Sequence, residues 1–140
     1  MSKWIVVANA GRARIFEVTV SDGQMREIET LVHPESRQHQ GDLVSDQAGH
    51  AFSAKTGSHS IDRQDVTKHQ QADEFARRLC QTLEQGRNQG LFQRLYLIAA
   101  PQFLGLLRKH MSKPLQHLVS DEFAKDLTMA DEAQIRSAIK

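Results

Sequence analysis

The first third of the chain combines one short apolar run with two segments in which apolar and polar residues alternate, a pattern typical of β-strands. These segments cover residues 3–8, 13–20 and 25–33. The stretch Asn-Ala-Gly-Arg follows the first segment and Asp22-Gly23 follows the second, and both have the composition of tight turns. The pattern predicts an antiparallel meander of three strands, which Pro34 ends.

In the second half of the chain, apolar residues recur at helical spacing. The stripe consists of Ala72, Phe75, Ala76, Leu79, Cys80 and Leu83. It predicts a long helix with one buried face, on which Cys80 would be an inert buried thiol. Asp65 or Thr67 would cap the start of this helix, and Gly86 and Gly90 would mark its end.

The remaining elements follow from shorter signals. A continuous apolar run at residues 95–100 predicts a central strand that is covered on both faces, and Pro101 suits the first turn of the next helix. The pattern then predicts a short helical turn at residues 113–117, a fifth strand at 118–123, and a last helix that Thr128 or Asp131 caps and that ends near Ile139.

The predicted order is three strands, a loop, and then helix, strand, helix, strand and helix. Helices between successive strands imply parallel crossovers. We therefore expect an α/β fold with a mixed five-stranded sheet, an N-terminal antiparallel meander and helices packed on the sheet. The chain would form a single domain over residues 1–140, with a long polar loop at about residues 35–66.

The segment at residues 39–62 is rich in Gly, His, Asp and Ser and contains few apolar residues. Long unstructured segments are uncommon in compact domains and are usually functional or disordered. The carboxyl ends of sheet strands are a second candidate region, because ligands of open α/β sheets bind there. Pro101, Phe103 and Leu104 follow such a strand. For Phe103 and Leu104, simple packing of their helix on the sheet is the favoured interpretation. Lys125 and Asp126 are interpreted as a surface ion pair.

The composition of the chain indicates which cellular compartment the protein occupies. The 140 residues carry a net charge of +1, which does not by itself indicate nucleic-acid binding. The single cysteine cannot form an internal disulfide, as expected in a reducing compartment. The N-terminal apolar run is too short for a signal peptide, and no stretch is long enough to span a membrane. We expect a cytoplasmic protein without membrane contact.

Five stretches together resemble the bacterial host-attachment protein family. They are WIVVANAGRARIFEV, LVHPESR, GDLVSDQAGHAF, FQRLYLIAAPQFLGLLRKH and AKDLT. The resemblance covers essentially the whole chain. This family looks like a bacterial relative of the middle domain of archaeal and eukaryotic peptide-chain release factors and of Pelota, which implies an α/β domain that acts on the ribosome.

The release factors carry a Gly-Gly-Gln tripeptide in the loop before the first long helix, where this chain has its polar segment. Here the nearest match is Gln40-Gly41-Asp42, so peptide release is not carried over from the resemblance. In the host-attachment family an arginine often follows the Ala-Gly pair of the loop. This chain has His50 there, which weakens a basic loop contact.

Acidic and histidine residues form the densest set of groups that could act in catalysis. They are Asp42, Asp46, His50, His59, Asp62, His69 and Asp73. The catalytic candidates among them are Asp46, His50, His69 and Asp73. The last two are four residues apart on the predicted helix, so they could hold a divalent metal or orient one another for proton transfer. The spacings match no known metal signature, so we predict no metal site, and solvated turn residues are the favoured interpretation.

Basic residues near the loop and the first hairpin are the candidates for RNA contact, an interpretation that rests mostly on the family resemblance. They are Arg12, Arg14, Arg37, Lys55, Arg63 and Lys68. The alternative is an ordinary mixed surface, because acidic residues are interspersed among them. No dinucleotide or phosphate-loop motif is present, and no cofactor is predicted.

The leading hypothesis is therefore a cytoplasmic RNA- or ribosome-associated factor that acts through residues 39–62, and a non-enzymatic role is favoured over an enzymatic one. The first alternative is a metal-dependent phosphoester hydrolase that uses the loop Asp and His residues. The second alternative is a protein-interaction module in adhesion to host cells or its regulation. A homodimer, formed through a strand edge of the meander, is left open.

Overall fold

A computed structural model describes residues 1–33, except Val20 and Asp22, and residues 57–139; over residues 57–66 it describes the backbone alone. In chain order the elements are β1 (Ser2–Ala8), β2 (Arg12–Thr19), β3 (Met25–Val32), α1 (Gly57–Asn88), β4 (Arg94–Ala99), α2 (Pro101–His110), α3 (Lys113–Leu118), β5 (Val119–Ala124) and α4 (Glu132–Ile139). No helix among the described residues combines the length and apolar character that crossing a bilayer requires.

The strands form one five-stranded sheet in the order β3-β2-β1-β4-β5. The pairs β1–β2 and β2–β3 are antiparallel, whereas β1–β4 and β4–β5 are parallel. The α/β class, the N-terminal meander and the mixed five-stranded sheet are thus confirmed. The predicted strand ends differ from the observed ends by at most one residue. The single-domain assignment and the likeness to release factors stay predictions.

Each face of the sheet has its own apolar core. Successive residues of β1 contribute to the two cores in turn, because successive side chains of a strand point to opposite faces of the sheet. Trp4, Val6 and Ala8 join the larger core with residues of α1, α2 and α3. Ile5 and Val7 join the smaller core, which Ile135 of α4 completes.

The start of α1 corrects the sequence prediction. The helix begins at Gly57, so the loop boundary near residue 66 and the caps at Asp65 and Thr67 are wrong. The first ten residues of the helix, GSHSIDRQDV, contain only two large apolar residues. A helix segment without an apolar stripe gives no periodic signal, which explains the error.

The end of α1 confirms one predicted glycine and reassigns the other. Gly90 has φ +70° just beyond the helix, a conformation that suits glycine. Gly86 instead lies within the helix. A Cβ atom there would approach the ring of Trp4 to 2.7 Å, so its missing side chain allows α1 to lie close against the sheet.

The last helix has the cap at Asp131 and not at Thr128. The Asp131 carboxylate accepts a hydrogen bond from the backbone N–H of Gln134 at 2.8 Å, and the Gln134 side chain accepts one from the N–H of Asp131 at 3.0 Å. This reciprocal pair is a capping box. Thr128 is buried three residues before the helix cap and has other partners.

Candidate functional site

The neighbouring strands β1 and β4 are parallel, and the chain leaves them in opposite directions, towards β2 and towards β5. Ligands of open α/β sheets bind at such a switch point, beyond the carboxyl ends of the strands. We call this border of the sheet the carboxyl edge. The β1–β2 turn at residues 9–11, the start of α2 and the segment that follows β5 all meet there.

Asn9 organises the β1–β2 turn. Its side-chain oxygen accepts hydrogen bonds from the backbone N–H groups of Gly11 and Arg12, both at 2.9 Å. Its amide nitrogen donates to a carboxylate oxygen of Asp126 and to the hydroxyl of Thr128, both at 3.1 Å. A side chain in the first turn of the fold thus holds a segment more than 100 residues further along the chain.

The segment after β5 is also held from within. The Thr128 hydroxyl donates to the Asp126 carboxylate at 2.7 Å, and the Thr128 backbone N–H donates to the same oxygen at 3.1 Å. Partial burial acts to raise the pKa of Asp126, but the hydrogen bonds from Thr128 and Asn9 outweigh it and leave the pKa below its usual 3.8. The predicted surface ion pair between Lys125 and Asp126 is therefore wrong, because this carboxylate bonds to Asn9 and Thr128 instead.

Arg14 completes this arrangement from β2. Its guanidinium donates to the backbone carbonyls of Thr128 and Ala130, at 3.1 and 2.7 Å, and forms an ion pair with Glu27 at 3.0 Å. The hydrogen bond from Arg14 lowers the pKa of the Glu27 carboxyl. We call Asn9, Arg14, Asp126 and Thr128 the turn cluster. All four side chains are hydrogen-bonded within the protein.

Beside the turn cluster lies a cleft of about 690 Å³ between α1, α2 and the β1–β2 turn. Its lining residues are Ala10, Lys68, His69, Ala72, Gln102, Phe103 and Leu106. The floor is apolar, because Phe103 is buried and Ala72 and Leu106 are half-buried. The rim is polar and exposed, with Lys68 and His69 on α1 and Gln102 on α2.

A polar groove adjoins the cleft along α1 and carries an acid-base contact. Asp73 lies 2.8 Å from Nε2 of His110 and 3.3 Å from the Lys109 ammonium. The hydrogen bond with His110 is the main reason that the pKa of Asp73 is lowered. Because His110 is in the last turn of α2, this contact ties the two helices together.

The catalytic candidates fall into two groups. Asp46 and His50 lie outside the described residues. His69 and Asp73 line the same groove, as their spacing predicts, but Asp73 is hydrogen-bonded to His110. His69 has no hydrogen-bond partner among the described residues.

The predicted RNA contacts are also in different situations. Arg12 and Lys68 are exposed at the carboxyl edge, and Arg12 contacts the sulfur of Met129 at 3.6 Å. The Arg14 guanidinium is occupied by the turn cluster. Arg37 and Lys55 lie outside the described residues, as does the side chain of Arg63.

Two structural expectations for this region are confirmed. Phe103 and Leu104 pack into the larger core. Cys80 is buried, and burial raises the pKa of its thiol to about 12. Over the described parts of the chain, no three His, Cys, Asp or Glu side chains come together in a way that could hold a metal ion.

Sequence reasoning missed the partners of these candidates. His110 ends a predicted helix and lies 37 residues from Asp73, so no local pattern connects them. The AKDLT stretch carries part of the family resemblance, but its contact with Asn9 was not predicted. Gln102 gave no signal of its own, because the apolar residues around it dominate the pattern at the start of α2.

Comparison with known families gives one result that covers nearly the whole chain. Residues 4–139 match the family described as "Protein required for attachment to host cells". No curated protein matches the sequence. The family resemblance carried by the five sequence stretches is thereby confirmed.

Proposed function

The chain belongs to the family of proteins required for attachment to host cells, and from this premise we propose that it acts in the cytoplasm as an RNA- or ribosome-associated factor. Residues 39–62 and the carboxyl edge of the sheet form the contacting surface in this proposal. The choice of partner follows from the resemblance to release-factor middle domains that the sequence predicts. Any effect on attachment to host cells would then be indirect.

The observation that carries the proposal is the position from which the polar segment departs. His33 is the last described residue before residue 57, and its backbone N–H donates to the carbonyl of Gly11 at 3.1 Å. The His33 ring also packs edge-on against Phe75 of α1, with the ring centroids 5.5 Å apart. The last described residue before the polar segment therefore lies beside the β1–β2 turn.

Charge at this edge supports the same partner. Arg12 and Lys68 are both exposed there. Asp126 is also exposed and keeps its charge, but its oxygens accept hydrogen bonds from Asn9 and Thr128 in the turn cluster. Exposed Arg and Lys side chains bind phosphates and release counterions, so such binding weakens as salt rises. A role through the loop and this edge needs no catalytic group.

The test is binding of purified ribosomal RNA at several salt concentrations, together with recovery of RNA from lysate with and without RNase. One variant replaces residues 39–55 with a Gly/Ser linker, which leaves α1 intact from Gly57 onward. A second variant carries Arg12→Ala and Lys68→Ala. We expect the linker variant to lose RNA. The double variant should reduce the slope of log K against log salt by about 0.7 for each phosphate that is no longer neutralised.

A matched control carries Arg94→Ala and Lys113→Ala. Both residues are exposed and lie towards the opposite edge of the sheet, near the amino ends of β4 and β5. Their removal changes the net charge equally and should leave binding and its salt slope as in the wild type. Equal weakening by both double variants would show that only overall charge matters. Absence of RNA from the wild-type sample would overturn the proposal.

A further inference from the structure

We propose that the cleft between α1 and α2 binds a small amphipathic anion, with an apolar body on the cleft floor and one carboxylate or phosphate group at Lys68. This inference does not rest on the RNA-binding proposal. Lys68 serves in both proposals, but the apolar floor of the cleft has no part in RNA binding.

The cleft floor is already formed in the free protein. Phe103 is 2% exposed and packs against Phe75, with the ring centroids 5.8 Å apart. Leu106 packs against the same core, and Ala72 faces the cleft from α1. Small-molecule sites are mostly apolar, largely preformed concavities of roughly 300–1,000 Å³. The cleft volume of about 690 Å³ is within that range.

The charge of the residues that line the cleft favours a negatively charged ligand. Among the described residues that line the cleft, Lys68 is the one with a permanent charge, and none of them is Asp or Glu. Two acidic residues of α1, Asp73 and Glu74, line the adjoining polar groove instead. A ligand with one anionic group can therefore pair with Lys68 and meet no carboxylate in the cleft.

The polar groups of the rim are available to a ligand. Lys68, His69 and Gln102 are exposed and make no hydrogen bond or ion pair with any other described residue. An amide and an imidazole can each donate or accept, so they can fix the orientation of a polar group. The turn cluster next to the cleft offers nothing comparable, since its four side chains are hydrogen-bonded to other groups of the protein.

The probe for this site is 4-methylbenzoate, with 4-methylbenzamide as its neutral counterpart and acetate as the anion without an apolar body. Binding is followed by chemical-shift changes of backbone amides in a ¹H–¹⁵N spectrum of the full chain. We expect saturable shifts at Lys68, Ala72 and Leu106, with a Kd on the order of 1 mM for the benzoate. The benzamide should bind more weakly, and acetate should cause no saturable shift.

Two variants separate the two parts of the site. Ala72→Leu fills the floor and should abolish binding of both aromatic probes. Gln81→Leu places the same leucine side chain at an exposed position of α1 and should change nothing. Lys68→Met should weaken the benzoate by about threefold, as expected for an exposed charge, and leave the benzamide as before. Lys113→Met is the matched control for the change of charge.

The variant Ala72→Leu also distinguishes this proposal from the RNA-binding proposal. It keeps Arg12 and Lys68, so it should lose the aromatic probes and still bind RNA as the wild type does.

Three outcomes would overturn the proposal. The first is the absence of saturable shifts in the cleft at about 10 mM probe. The second is equal affinity for the benzoate and the benzamide. The third is binding that occurs only when residues 39–55 are replaced by a linker, which would assign the cleft to the chain's own segment.

Discussion

The turn cluster and the cleft rim lie side by side at the carboxyl edge but differ in how their polar groups are used. In the turn cluster, Asn9 makes four hydrogen bonds and Arg14 bonds to two carbonyls and a carboxylate. On the rim, Lys68 and Gln102 make none with the described residues. Polar groups that are satisfied internally contribute to folding, and exposed groups without internal partners are available to a ligand. Residue type alone does not separate these two roles.

The largest expected effect is on the turn cluster. Arg14→Met removes the donor to the carbonyls of Thr128 and Ala130 and leaves Glu27 without its ion-pair partner, and the Arg14 side chain is only 17% exposed. We expect the free energy of unfolding, measured with urea, to fall by about 2–3 kcal/mol. Arg12→Met is the control two residues away and should cost less than about 0.5 kcal/mol. Similar losses in both variants would refute the distinction between them.

A smaller effect concerns acid stability. The folded-state pKa of Asp126 lies below its usual 3.8, so its ionised form is favoured by folding. Its contribution is present above the unfolded pKa and is lost as the pH falls through the lower folded value. Urea midpoints between about pH 5 and about pH 2 should therefore fall less steeply in Asp126→Asn than in the wild type.

Asp73 in the polar groove sharpens the same test. Its pKa is also lowered, chiefly by the hydrogen bond with His110. We call the fall of the urea midpoint between about pH 5 and about pH 2 the acid limb. The acid limb should therefore be less steep in Asp73→Asn than in the wild type, as it is expected to be in Asp126→Asn. The contact of Asp73 with Lys109 is exposed and should weaken when salt is added. In high salt the acid limb of the wild type should thus lose the part of the Asp73 contribution that comes from Lys109. It should keep the Asp126 contribution, because the partners of Asp126 are uncharged. An acid limb that salt changes equally in the two variants would contradict this difference.

The smallest expected effect is on the rim. Lys68→Met, His69→Ala and Gln102→Ala each remove an exposed side chain without an internal partner among the described residues. Each should change the free energy of unfolding by no more than about 0.5 kcal/mol, again measured with urea. A loss of more than about 1 kcal/mol in any one of them would mean that the residue belongs to the folding network.

The same contrast explains how far the sequence could predict this protein. Strand and helix periods depend on near neighbours, so the meander, the buried strand β4 and the capping residue Asp131 were all predictable. Residues 57–66 carry no apolar stripe, and the start of α1 was therefore misplaced. The contacts of the candidate site join distant positions: Asn9 and Thr128 are 119 residues apart, and Asp73 and His110 are 37 apart. Periodicity contains no information about such pairs.

Candidate chemistry was predictable only as residue types. Arg12 and Arg14 look equivalent in the sequence, yet one is exposed and the other is enclosed by carbonyls and a carboxylate. His69 and Asp73 share a helix face as predicted, but the partner of Asp73 comes from another helix. The cleft itself is invisible in the sequence, because its walls come from three separate segments.

Because Gly86 of α1 lies against the ring of Trp4, the intrinsic fluorescence of this tryptophan can report on the packing of α1 against the sheet. Trp4 is the single tryptophan of the chain, is 4% exposed and stacks on Phe92 with the ring centroids 4.5 Å apart. It lies near the amino end of β1, across the sheet from the carboxyl edge. We therefore expect its fluorescence to report separation of α1 from the sheet and to change little when a ligand enters the cleft. One emission spectrum can distinguish a variant that has lost its ligand from a variant that has lost its fold.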